Sequence, residues 1–136
     1  MFERISTLHK KPLIMGAGLM VLDIILNNGD TQPMFRAGGT CGNVLAGLSY
    51  LGWKSSAIGR IGTDYAGKVM ANDLSNCGVD ISFIGREEEL KTPRIIERLS
   101  SNGYQPKHTF LLRCTACHAY LPRFRSPTLG TADSVV

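Results

Sequence analysis

The run Gly38-Gly39-Thr40-Cys41-Gly42-Asn43 puts two adjacent glycines ahead of an asparagine, and an apolar, small-residue stretch follows at once. A glycine pair at the start of a helix can cradle a phosphate, because its backbone N–H groups are open to a ligand. The nucleoside-triphosphate loop Gly-x-x-x-x-Gly-Lys-Ser/Thr occurs nowhere in the chain. The dinucleotide fingerprint fails as well, since "GAGLMV" from Gly16 has Val21 where its third glycine should stand. A neutral polyol is the other candidate ligand. Gly38 and Gly39 let it approach the main chain closely, Asn43 offers a donor and an acceptor, and Asp23 accepts from two hydroxyls at once. The same residues also suit a tight turn, a helix cap and a turn aspartate. Spacing alone does not separate the two.

A second cluster is Cys114-Thr115-Ala116-Cys117-His118. It fits the pattern for covalent haem attachment, which requires export, and no export signal is found. A redox dithiol would need the pair at a helix start after a strand, which the surroundings do not offer. Zinc has better support. Cys114 and Cys117 have ligand spacing, and His108 or His118 would add a third ligand. The second Cys-x-x-Cys that would complete such a site is missing, so no metal site is assigned. Two reduced, partly buried thiols are the alternative. Cys41, between the glycine pair and Asn43, reads as a small wall residue rather than a nucleophile.

These groups need elements to hold them. Pro12 to Gly18 reads as a buried strand running into a glycine-rich bend, with Asp23 just past it. Residues 27–39 are rich in turn formers, a loop or a small hairpin. Val44, Leu45, Leu48 and Leu51 recur at helical spacing from Asn43, and Gly52 stops the helix. Lys54 to Ile61 is a second strand. A helix capped by Thr63 or Asp64 follows, with Val69, Met70 and Leu74 as its stripe and Gly78 as its end. Val79 to Gly85 is a third strand. This alternation predicts an α/β fold with a parallel sheet and crossover helices. Thr92 to Leu99 reads as a strand of an antiparallel flap ending in the Asn102-Gly103 turn. The closing "DSVV" has the look of one more strand beginning.

Composition sets the outer bounds. The 136 residues are 43% hydrophobic and 19% charged, which suits one domain with a modest core. The net charge is +4, and Leu99 to Ala132 contains no acidic residue. That basic run lacks the interleaved aromatics of a nucleic-acid platform, so nucleic acid ranks last among the partners. Lys10 and Lys11 ahead of an apolar stretch mimic an export signal. Asp23 interrupts that stretch, no small-residue cleavage site follows, and it is too short to span a bilayer. The expected setting is the reduced cytoplasm, with no membrane contact.

Residues 38–80 resemble a known family. "GGTCGN", an alanine-containing helix ending in Leu51-Gly52, "IGRIGTDYAG" and "NDLSNCGVD" together look like the N-terminal signature of the ribokinase-like (PfkB) carbohydrate kinases. "GAGLMVLDIIL" is similar to the family's opening strand with its early aspartate, and the resemblance extends over residues 12–98. It implies a three-layer α/β/α fold with a small β lid, incomplete in this chain, with 1–136 as the N-terminal substrate-binding portion. It also implies an ATP-dependent sugar or nucleoside kinase, with ATP and Mg2+ as cofactors of the complete enzyme. Carried over residue by residue, Asp23, Gly38, Gly39 and Asn43 would bind the sugar or nucleoside. Gly62 and Asp64 would form a tight turn into a capped helix. The segments 27–36 and 86–105 would belong to the lid, and a homodimer through the lid strands is a candidate assembly. Family members are longer than this chain. Their later half carries the catalytic aspartate, the glycine-rich anion hole and the ATP pocket. "TLGTAD", Thr128 to Asp133, has the wrong glycine spacing, so no catalytic residue is assigned and the chain is expected to be inactive alone. The competing expectation is a non-catalytic binding or regulatory module, with a structural zinc at Cys114 and Cys117.

Overall fold

A computed structural model describes residues 10–99, 106–113 and 134–135. Two four-stranded sheets organise these residues. The first has the order β5-β4-β1-β8, and all of its pairings are parallel. Its strands are β1 (Leu13–Ala17), β4 (Lys54–Gly62), β5 (Ile84–Glu87) and β8 (Ser134–Val135). Helices α1 (Thr40–Tyr50) and α2 (Tyr65–Asn76) make the crossovers from β1 to β4 and from β4 to β5. The two crossovers step across the sheet in the same direction, so right-handed connections put both helices on one face. Ile14, Ala57, Ile61 and Ile84 of that face pack against Leu45, Met70, Ala71 and Leu74 of the helices. Each large side chain in this core contributes about 2 kcal/mol on burial.

The second sheet has the order β3-β2-β6-β7. Its strands are β2 (Val21–Asn27), β3 (Met34–Gly38), β6 (Arg94–Leu99) and β7 (Lys107–Leu111). β2 and β3 form a hairpin, one of the two alternatives, loop or hairpin, expected of the turn-rich segment. β6 pairs antiparallel with β7 but parallel with β2, so the flap is mixed rather than antiparallel throughout. Its strands begin before residue 27 and continue beyond residue 105, wider than the polar segments suggest, and residues 86–87 belong to β5 in the first sheet. One face of the sheet rests on the main core through Leu22, Ile24, Phe35 and Ala37. Phe35 meets Tyr65 of α2 edge-on, with ring centroids 6.1 Å apart. At the sheet's edge the Ala37 N–H donates to Asp73 Oδ2 of α2 at 2.7 Å.

Local detail departs from the sequence expectations in three places. Asp23, expected just past the bend that follows the first strand, lies inside a separate strand, β2, because the chain bends at residues 18–20 and crosses to the second sheet. Helix α1 starts at Thr40, before Asn43, and buries Cys41, Gly42 and Leu45. Of its expected stripe only Leu45 is fully covered, while Val44 and Leu51 are exposed, because small residues give this helix its close contact. The strand expected from Val79 starts only at Ile84. Asp80 turns the chain first, its Oδ1 accepting from the Ser82 N–H at 2.9 Å and the Ser82 hydroxyl at 2.6 Å. The "DSVV" expectation holds as a strand, with Ser134 and Val135 paired to β1.

Candidate functional site

An open cavity of about 450 Å³ lies where the start of α1 meets the face of the second sheet turned away from α2. From the α1 side Gly39, Thr40, Asn43 and Val44 line it. From the sheet come Asp23 of β2, Ile95 and Glu97 of β6, and His108 and Phe110 of β7. Register explains the second group. Asp23 pairs with Ile95 and Ile95 with Phe110, while Glu97 pairs with His108, so these side chains share one face. Three of the four residues expected at a binding site, Asp23, Gly39 and Asn43, therefore meet at one cavity. The fourth, Gly38, is buried beneath Asp23. A Cβ at Gly38 would overlap the Asp23 carboxylate, so glycine is what lets that side chain lie where it does.

Gly39 turns the chain from β3 into α1 with φ 83°, a conformation that favours glycine, and a side chain there would strike the Leu19 carbonyl. That carbonyl accepts from the Cys41 N–H at 3.0 Å and anchors the first turn. Among the described residues no side chain caps α1. Asn43 is exposed on this turn, with its own N–H bonded to the Gly39 carbonyl at 2.9 Å. Asp23 Oδ1 is buried and has no hydrogen-bond partner among the described residues. Burial pushes the Asp23 pKa above the ordinary carboxylate value, Glu97 adds to the rise, and His108 opposes it. Buried polar atoms in native proteins are paired, as a rule, with protein or bound partners. An orphaned carboxylate oxygen on a cavity wall is a place where a ligand donor fits.

Glu97, His108 and Phe110 were missed in the sequence as site residues. His108, weighed there as a third zinc ligand beside Cys114 and Cys117, has its Nε2 3.3 Å from Glu97 Oε1 and stacks on Phe110 with centroids 6.1 Å apart. Strand alternation does put Ile95 with Glu97 and His108 with Phe110, which was the available signal. Cys114, Cys117 and His118 lie outside the described residues, as do Asn102-Gly103 and Thr128 to Asp133. Among the described residues no group of three His, Cys, Asp or Glu side chains could hold a metal. Cys41, expected as a wall residue, is packed in the main core against Gly16 of β1 and does not line the cavity, and burial raises its pKa. A second hollow of about 430 Å³, by Lys11, Trp53 and Asp80, gathers none of the expected residues.

The turn at Gly62 and Asp64 behaves as the structural element it was read to be. Asp64 caps α2 by accepting from the Gly67 N–H at 3.0 Å. It also accepts from the Thr92 hydroxyl at 2.6 Å and the Thr92 N–H at 3.3 Å. Thr92 Oγ1 accepts in turn from the Gly62 N–H at 3.0 Å. Burial by itself would raise the Asp64 pKa. The bonds from the Thr92 hydroxyl, Gly67 and the Thr92 N–H, with the charge of Arg94, outweigh it and hold the pKa below the ordinary value.

The fold and this geometry have known counterparts. The model of the pfkB family carbohydrate kinases matches residues 13–106. A fructokinase of Escherichia coli is 35% identical over 99 residues, which is 73% of this chain and 32% of that protein. The crystal structure of a sugar kinase from Pyrococcus horikoshii in complex with ATP superposes with a TM-score of 0.65 at 30% identity, over 76% of this chain and 35% of that one. An Arabidopsis thaliana ribokinase complexed with ribose and ATP shares the fold, with a TM-score of 0.65 at 23% identity over 78% of this chain and 37% of that one. The chain thus spans about a third of the length of the curated relatives it matches. With a ribokinase-like α/β fold and a family match across most of its length, this chain belongs to the pfkB family of carbohydrate kinases.

Proposed function

We propose that the cavity at the start of α1 is the acceptor site of an ATP-dependent sugar or nucleoside kinase, and that this chain carries the acceptor-binding part of that enzyme. The buried, unpartnered Oδ1 of Asp23 carries the reading. A sugar hydroxyl supplies the donor that the described residues lack, and the second carboxylate oxygen takes a neighbouring hydroxyl. Asn43 donates to one hydroxyl and accepts from another, while Gly38 and Gly39 keep the floor clear. The second sheet acts as the lid, and its apolar Ile95 and Phe110 shield the bound sugar from water that would compete as phosphoryl acceptor.

In this reading ATP supplies the phosphoryl group when bound, at residues other than those of the cavity. Asp23 and Glu97 place two carboxylates there, which disfavours a polyphosphate. The reading assigns no catalytic base to this chain, so alone it binds the acceptor without turning it over. It places the protein in the cytoplasm, in keeping with the cysteine usage. No helix among the described residues is long and apolar enough to cross a membrane.

The test is calorimetric titration of the chain with neutral sugars and nucleosides, in wild type and in Asp23→Ala and Asn43→Ala. Both substitutions should abolish binding while the circular dichroism spectrum stays native. Unchanged affinity in folded variants would remove the assignment. The reading also includes a homodimer through the lid strands. Among the described residues β7 is an edge strand with all five residues exposed, Phe110 and Leu111 among them, an edge that a second copy can cover. A monomer mass in sedimentation at micromolar protein concentration would rule that assembly out.

A further inference from the structure

We propose that Glu97, oriented by His108, is a specificity-determining residue that admits neutral polyhydroxylated substrates to the cavity and excludes sugars bearing a carboxylate or phosphate. The inference rests on the reading of the cavity as an acceptor site and names the substrate class within it.

Its basis is the charge on one face of the second sheet. Asp23 and Glu97 both line the cavity, one on β2 and the other on β6. They are close enough that Glu97 contributes to the raised pKa of Asp23. Among the lining residues, His108 is the one side chain that can become positive. Its Nε2 is already directed at Glu97 Oε1, 3.3 Å away. Arg36, which pairs with Asp23 across β3, is exposed, hydrogen-bonds the Phe35 carbonyl, and does not line the cavity. Even with His108 protonated, the lining carries a net negative charge. An entering anion then meets charge of its own sign where water is partly displaced, and it loses its solvation without gaining a cation.

The hydrogen-bonding inventory gives the same answer. An ionised carboxylate only accepts, so Asp23 and Glu97 both require donors from the substrate. Hydroxyls donate, whereas a substrate carboxylate or phosphate dianion at the same place does not. His108 Nε2 lies 3.3 Å from one Glu97 oxygen, and its ring stacks on Phe110. Glu97 is thereby held as an oriented acceptor beside an apolar patch formed by Ile95 and Phe110. That combination of an acceptor and an apolar face suits a neutral sugar, which presents hydroxyls at its rim and C–H groups on its faces.

The experiment titrates the chain at neutral pH with fructose and ribose, and separately with gluconate and ribose 5-phosphate. Wild type should bind a neutral sugar about 100-fold more tightly than either anion, the size expected for like charges brought together in a partly dry site. Glu97→Gln should retain neutral-sugar binding to within about tenfold and narrow the gap to the anions by about tenfold. His108→Lys, placed on an exposed edge strand and therefore compatible with folding, should also tighten anion binding. Anions binding as well as neutral sugars to wild type would overturn the proposal. So would a gap that neither variant narrows. If wild type bound no sugar at all, the acceptor-site reading itself would fall, an outcome distinct from a loss of selectivity alone.

Discussion

Each helix begins directly after a strand, α1 after β3 of the second sheet and α2 after β4 of the first, and they begin in opposite ways. α2 opens on Asp64, whose carboxylate takes a backbone N–H of the helix and two groups of Thr92, with Thr92 tied back to Gly62. α1 opens on Gly39, with no side-chain cap, beside a carboxylate oxygen that has no partner among the described residues. One helix start is satisfied internally and the other is left open. Polar groups closed on one another stabilise a fold, whereas groups left open in a concave place are available to a ligand. The difference also appears in the two aspartates' acidity, lowered at Asp64 and raised at Asp23.

Substitutions that break each arrangement should have opposite signs. The larger effect is expected at α2. Asp64→Ala removes the cap and strips Thr92 of its acceptor, and should lower stability at neutral pH by about 2 kcal/mol in urea unfolding. Because the folded pKa of Asp64 lies below its ordinary value of 3.8, the stabilisation is present above that value and is lost as pH falls through the folded pKa. The gap between wild type and variant should therefore close in acid. An undiminished gap would mean that ionisation of Asp64 is not what holds the cap.

The smaller effect is expected at α1, with the sign reversed. Asp23 has its pKa raised on folding, so its ionisation opposes folding above the ordinary carboxylate range and ceases to do so below it. Asp23→Asn should raise the thermal midpoint slightly at neutral pH while sugar binding is lost. A lowered midpoint would show that Asp23 is a structural residue like Asp64, and the contrast between the two helix starts would collapse.

Legibility in the sequence follows the same divide. The α2 start was readable because its signals are local: Asp64 sits directly before the helix, and Gly78 just beyond its end has φ 83° as a helix stop demands. The strand–helix–strand order was readable for the same reason, each element carrying its own period and punctuation. Spacing alone left Asp23, Gly39 and Asn43 open between a site and a turn, and the family resemblance is what placed them together, although the second strand bearing Asp23 was not foreseen. Glu97 and His108 were not read as site residues. Their meeting with Asp23 depends on β6 lying parallel to β2 and antiparallel to β7, a register set by packing between distant segments. Nothing in "RIIERL" or "KHTFL" alone says which strand will lie alongside.

The bond between Asp73 and the Ala37 N–H has a mechanical consequence. It fastens β3, one edge of the second sheet, to the body of the molecule, while β7 forms the opposite edge. Strands lie about 4.8 Å apart, so three spacings put β7 about 14 Å from the fastened side. A rigid sheet hinged along β3 behaves as a door, and displacement grows with distance from the hinge. Asp23, on the strand next to β3, would barely shift, whereas Glu97 and His108 would sweep the wider arcs. If the second sheet closes as the proposed lid, the Asp23 end of the cavity would stay nearly still and the Glu97–His108 end would travel furthest.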